Sequence, residues 1–156
     1  MKSVMLSIRP KWCEKIASGE KTIEVRKAKP KLETPFKCYI YCTNSGVATG
    51  MRGKHGKVVG EFTCNTVTNL FSNSRFWLNE DDVLQTCLSA AEIRKYADGA
   101  NGLYGWHISD LVCYDKPKEL SEFKGLRKTK FGYEPVEIKR PPQSWCYVEE
   151  WEENDG

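Results

Sequence analysis

Residues 10–27, PKWCEKIASGEKTIEVRK, join a helical pattern directly to a strand pattern with almost no connecting loop. Pro10 suits the first turn of a helix, where its fixed φ fits and an N–H would be unpaired anyway. Trp12, Cys13 and Ile16 make the apolar stripe, and Gly19 supplies the C-terminal cap. Lys21, Ile23, Val25 and Lys27 then alternate with Thr22, Glu24 and Arg26, as the two faces of a strand require. Glu24 and Arg26 are therefore same-face neighbours. Lys21 has the opposite parity, but as the first strand residue beside a glycine it can swing round the strand edge. Charges crowded like this pair with each other or with a ligand, because an isolated buried charge is costly.

The rest of the chain reads as further strands separated by irregular excursions. Alternating or β-favouring runs occupy 2–8, 36–43, 57–70, 103–108, 111–115 and 144–150, with Gly60 as a bulge or bend. Ser109-Asp110 suits a tight turn between two of these runs. A second helical section spans 76–98, with Asn79 or Ser89 as its N-cap. Loops are expected at 28–35, 44–56 and 116–142. There is no βαβ alternation, repeat or linker, so the expectation is one α+β domain over 1–156. Its architecture is a small mixed β-barrel of six or seven strands with helical insertions.

The hydrophobic share of 40% is enough for a real core. No apolar run approaches the roughly 18 residues of a membrane span. The opening MKSVMLSIRPKW is interrupted by Arg9 and Pro10 and does not read as a secretion signal, so a cytoplasmic protein without membrane association is expected. Seven cysteines, an odd count without a signal, argue against a disulfide framework. Cys38, Cys64, Cys113 and Cys146 sit in strand-like runs as small buried hydrophobes. With no CxxC pair, and with His55 and His107 in unrelated contexts, no metal or organic cofactor is expected.

Charge is unevenly distributed. Residues 1–60 hold thirteen Lys/Arg against four Asp/Glu, a local net of +9, and residues 61–156 hold eleven against seventeen, a net of −6. A basic first third with an acidic run from Glu149 to Asp155 favours an anionic partner such as nucleic acid or nucleotide.

The unit IASGEKTIEVRK carries G-x-K-x-x-E-x-R at Gly19, Lys21, Glu24 and Arg26 and resembles the ASCH domain, a family of the PUA-like superfamily of small β-barrels. SIRPKW, the GEFTC strand around Glu61, GWHISDL from Gly105 to Leu111 and the closing PPQSWCYVE are similar to compact bacterial and prophage ASCH proteins. The resemblance covers nearly the whole chain. It implies a pseudo-barrel with a cleft beside the first helix, floored by the motif charges, that binds RNA or a nucleotide-like ligand. It also implies an alternative, because some ASCH proteins are amidohydrolases acting on N4-acetylcytidine and others cleave RNA. In the amidohydrolases the lysine at the Lys21 position acts with a threonine and a glutamate. Glu24 stands at the threonine position here, Thr22 has a different offset, and Glu80 or Glu92 in the helical insertion are candidates for the glutamate. In an enzyme of this kind, Lys21 and Glu24 are the catalytic proton-transfer groups.

Four groups of residues are thus candidates. Lys21, Glu24 and Arg26 either bind a ligand, through charge-assisted hydrogen bonds, or close the barrel as an ion-pair cluster. Arg9, Lys11 and Trp12 at the first helix either meet an anion and stack on a base or are surface and core residues. His107 faces away from Trp106. Arg52 and Lys54 in one loop, and Arg127, Lys128 and Lys130 beside Phe131 and Tyr133, are the nucleic-acid contacts that would position a polymer without reading it. A third class of function is an adaptor whose basic face docks an acidic protein.

Overall fold

A computed structural model describes residues 2–46 and 48–152; the acidic run read from Glu149 to Asp155 lies outside the described residues after Glu152. In chain order the elements are β1 (Lys2–Ile8), α1 (Pro10–Ala17), β2 (Ile23–Arg26), β3 (Phe36–Cys42), β4 (Lys57–Cys64), β5 (Val67–Ser72) and β6 (Arg75–Phe76). There follow α2 (Glu80–Thr86), α3 (Ala90–Tyr96), β7 (Gly102–His107), β8 (Ser109–Lys118), β9 (Lys124–Thr129), β10 (Gly132–Glu137) and β11 (Trp145–Glu149). The fold is α+β, with its strands divided between a seven-stranded and a four-stranded sheet. Contacts divide it into two compact units: one takes the chain up to Glu14, Lys37–Phe62 and Leu111 onward, the other Lys15–Phe36 and Thr63–Asp110.

The first unit is built on the seven-stranded sheet, in the order β10-β9-β11-β1-β3-β4-β8. β1 lies parallel to β3, with Val4 opposite Cys38, and antiparallel to β11, with Val4 opposite Tyr147. One face packs Met5, Tyr39, Tyr41, Val58, Phe123 and Val148 into a core. Tyr39 and Phe123 meet at 4.9 Å between ring centroids, and the Tyr39 hydroxyl accepts the Trp151 N–H at 2.8 Å. Glu61 is held from two sides, by Lys37 Nζ at 2.9 Å and by the Tyr114 hydroxyl donating at 2.9 Å.

The second unit carries the four-stranded antiparallel sheet β2-β7-β5-β6. Val25, Leu70 and Leu103 from its strands pack on Ile93 and Ala97 of α3. That helix starts with a capping box, in which the Ser89 and Glu92 side chains accept each other's backbone N–H. Asn79 caps α2 by accepting the Asp82 N–H at 2.8 Å, so the two cap candidates begin two separate helices. Leu70 is the extra residue of a register shift between Asn69 and Phe71, which aims it at Gly105. A Cβ on Gly105 would lie 2.9 Å from Ile23 Cγ2, so the core closes over bare backbone there.

Several expectations need correction. The described residues contain eleven strands, not six or seven. The run 57–70 breaks at Asn65-Thr66 into β4 and β5, which belong to different sheets. β7 and β8 also belong to different sheets, so Ser109-Asp110 does not turn a hairpin. The expected loop 116–142 contains the hairpin β9–β10, whose mostly polar, exposed residues lack the apolar alternation that marks a strand. Within 44–56, a 3-10 turn at Thr49–Met51 buries Met51. Of the four strand cysteines, Cys38 and Cys64 are buried, Cys146 is partly buried, and Cys113 is exposed. Burial pushes the Cys64 and Cys146 thiols up to about 11.

Gly60 marks a close backbone approach. A Cβ built there would sit 2.6 Å from the Val112 carbonyl oxygen of the neighbouring strand β8. Backbone cannot step aside as a flexible side chain can. Gly60→Ala is therefore expected to lower stability by about 1–3 kcal/mol in urea unfolding. An unchanged midpoint would mean that β4 and β8 do not meet in this register.

Candidate functional site

The charged motif is assembled at the end of α1 and the edge of the four-stranded sheet. Gly19 adopts φ +83°, in the left-handed region that glycine occupies freely, and its N–H bonds to the Ile16 carbonyl at 3.0 Å. The Lys21 N–H then bonds back to the Lys15 carbonyl at 3.0 Å. This reversal leaves Lys21 just ahead of β2, where its side chain escapes strand alternation. Its ammonium reaches within 3.8 Å of Glu24 Oε1, and Arg26 Nη2 lies 3.6 Å from Glu24 Oε2. The three residues do converge.

They are also nearly dry. Their side chains are 2%, 8% and 11% exposed for Lys21, Glu24 and Arg26 respectively. The Lys21 ammonium donates to the Thr86 carbonyl at 2.6 Å, at the last residue of α2. One residue on, Thr22 ties the same helix down: its N–H bonds to the Gln85 carbonyl at 3.0 Å and its hydroxyl to Gln85 Oε1 at 2.9 Å. Thr22 is thus engaged with α2. Glu92 closes the α3 capping box, and Glu80 begins α2 as an exposed residue.

The electrostatics follow from the burial. Desolvation holds the Lys21 ammonium below the usual lysine range; Glu24 and the Cys87 thiol oppose that shift and Arg26 adds to it. Glu24 Oε1 accepts the Val25 N–H at 3.1 Å. Glu24 Oε2 is buried and has no hydrogen-bond partner among the described residues, since Arg26 at 3.6 Å is too distant for one. Tyr96 stands beside the pair: its hydroxyl is pushed up mainly by burial, with Arg26 opposing and Glu24 reinforcing. Its ring is partly in solvent, with Lys27 Nζ 4.7 Å from the centroid.

Thr86, Cys87 and Tyr96 were not legible as site residues. Cys87 caps α2 in the left-handed conformation at φ +60°, where sequence patterns look for glycine or asparagine. Tyr96 reads as one more residue of an amphipathic helix. His107 takes the opposite side of β7 from Trp106 and Glu24, and its Nε2 lies 2.6 Å from Thr68 Oγ1. A depression of about 420 Å³ in this unit is lined by Lys29, Pro30, Leu32, Glu33, Thr34, Phe36 and Val67. None of the three motif charges lines it. Among the described residues no group of three His, Cys, Asp or Glu side chains is placed to hold a metal ion.

The remaining candidates lie in the first unit. Arg9 is exposed and its carbonyl accepts the N–H groups of Trp12 and Cys13 at 3.0 Å, opening α1. Lys11 Nζ sits 4.7 Å over the Trp12 ring. Arg52 is exposed, and Lys54 is partly buried. Arg127 is ion-paired with Glu134, while Lys128 and Lys130 are exposed.

The α+β fold agrees with comparisons to known proteins. A family profile for the ASCH domain matches residues 6–142. The chain belongs to the ASCH domain family. Among solved structures, the ASCH protein of Zymomonas mobilis superposes with a TM-score of 0.57 at 19% identity, covering 97% of this chain and 88% of that one. A Tyr-to-Phe variant of that protein gives 0.56 at 19% identity, with 99% and 92% covered. A Ser-to-Ala variant gives 0.54 at 17% identity, with 97% and 89% covered. No curated protein matches the chain significantly. No helix among the described residues is long and apolar enough to cross a membrane.

The lowered proton affinity of Lys21 has a consequence for stability. Between its folded value and the ordinary 10.5, the unfolded chain binds the proton that the folded chain has shed. Stability therefore rises with pH through that window. Relative to Lys21→Met, the wild type should gain stability as pH increases toward 10.5, measured by urea unfolding at successive pH values. A difference between the two proteins that is flat with pH would show a fully solvated lysine.

Proposed function

We propose that the protein binds RNA or a nucleotide-like ligand at the Lys21–Glu24–Arg26 cluster, with Glu24 Oε2 accepting a hydrogen bond from the exocyclic amine of a base. The observation that carries this reading is the buried carboxylate oxygen without a hydrogen-bond partner. Leaving such a group unpaired costs about 1–3 kcal/mol or more. A ligand that donates to it offsets that cost, which gives adenine, cytosine and guanine, each with an exocyclic amine, an advantage over uracil. Lys21 and Arg26 hold the Glu24 charge in place, and the partly exposed Tyr96 ring beside them offers a stacking surface. Membership of the ASCH family adds the PUA-like context in which RNA is the expected partner.

Glu24→Gln keeps the shape and replaces one acceptor oxygen by a donor. Binding of adenosine-, cytidine- or guanosine-containing oligonucleotides to this variant should weaken by about tenfold or more, as expected for losing one charge-assisted hydrogen bond, while uridine oligomers change least. Isothermal titration with short oligomers of each base tests this. Equal affinity of wild type and variant for every base would refute Glu24 as the reader.

A hydrolytic reading has one observation of its own: a buried lysine with depressed proton affinity 3.8 Å from a carboxylate. In it Glu24 takes a proton from water as the water attacks an amide carbonyl, and Lys21 supplies a proton to the departing amine. The hydroxyl nucleophile of the related amidohydrolases is replaced by that water. Incubation with N4-acetylcytidine should then release cytidine and acetate, and Lys21→Met should abolish the release. Absence of turnover in the wild type, with nucleoside binding intact, leaves the binding function alone.

A further inference from the structure

We propose a second nucleic-acid surface in the first unit, where β10, β9 and β11, with Lys2 at the start of β1, present a basic aromatic platform for single-stranded RNA. It is independent of the Glu24 cluster and rests on different residues. Cross-strand partners share a face. Tyr133 lies opposite Lys128, and Lys2 lies opposite Glu149 at the start of the ladder that sets Tyr147 and Trp145 against the buried Val4 and Leu6. Lys2 Nζ lies 3.7 Å from the Tyr133 ring centroid and 4.1 Å from that of Tyr147, so the two tyrosines of β10 and β11 flank one cation. Tyr147 in turn meets Trp145 edge-on at 5.3 Å.

The chemistry of this face points to a polyanion carrying flat rings. Tyr133 is 45% exposed and Phe131, at the tip of the β9–β10 hairpin, is 98% exposed. Residues 124–140 carry six Lys/Arg against two Asp/Glu, a net of +4. On the platform itself Glu149 lies opposite Lys2 and Glu137 opposite Lys124, whereas Lys128 lies opposite Tyr133. Arg127 has the other parity and pairs with Glu134, so it belongs to the opposite face. Rings interleaved with lysines suit unpaired bases stacking on aromatics while phosphates meet the ammonium groups. A duplex, whose bases are already stacked, makes no use of the rings. The expected occupant is therefore a single strand.

The test is fluorescence anisotropy with a labelled single-stranded RNA of roughly 12 nucleotides, against wild type, Phe131→Ala, Tyr133→Ala and Lys128→Glu. Loss of a stacking ring should weaken binding about tenfold for Tyr133→Ala and for Phe131→Ala. Lys128→Glu should weaken binding and make the affinity less steep in salt, because a phosphate contact is lost. Phe131 is almost fully exposed, so its variant keeps the fold even where Tyr133→Ala does not. Mononucleoside binding, read at Glu24, should be unchanged in all three variants, whereas Glu24→Gln leaves the salt slope intact. Wild-type affinity in Phe131→Ala and Lys128→Glu, equal binding of a duplex of the same length, or no binding of single strands would each overturn the platform.

Discussion

The Lys21 ammonium, buried against the Thr86 carbonyl and the Glu24 carboxylate, is the contact on which the second unit turns. A lysine taken out of water must replace its hydration with acceptors of comparable strength. Here one is the open end of a helix, whose last carbonyls have no intrahelical donor. The other is an acid three residues along the same chain. One side chain thus satisfies the end of α2, fixes where β2 starts, and sets the charge balance around Glu24. Removing the cation while leaving the acid would strand a buried negative charge next to Arg26 alone.

The cluster is nearly dry, and the burden of its burial is shared. Three partners surround it: α2, the β2 backbone and Arg26. Yet one carboxylate oxygen is left over. That oxygen is where the polar groups of this unit are least satisfied among the described residues.

Much of this organisation was legible beforehand, for physical reasons. Pro10 and Gly19 bracket α1 because each has a backbone preference that acts within a single turn. Glu24 and Arg26 meet because strand parity needs no tertiary information. The strands at 2–8, 36–43 and 144–150 were visible as β-favouring apolar runs, now β1, β3 and β11. The hairpin β9–β10 was not, since its partly exposed edge carries charges and Pro135 where a central strand carries apolar side chains. Nor was the division of 57–70, where an apolar run continues past the point at which the chain changes sheet.

Local chemistry alone determined the helix–glycine–strand turn, the alternation that pairs Glu24 with Arg26, and the basic character of the first third, all of which depend on near neighbours. Tertiary structure decided that Thr86, sixty-five positions from Lys21, supplies the carbonyl that holds it, and that Tyr96 feels the charges of Glu24 and Arg26. It also decided that Lys2 threads between tyrosines of two distant strands. Contacts between residues so far apart depend on which strands become neighbours, and that is settled by burial of the whole core, not by any segment's own preferences.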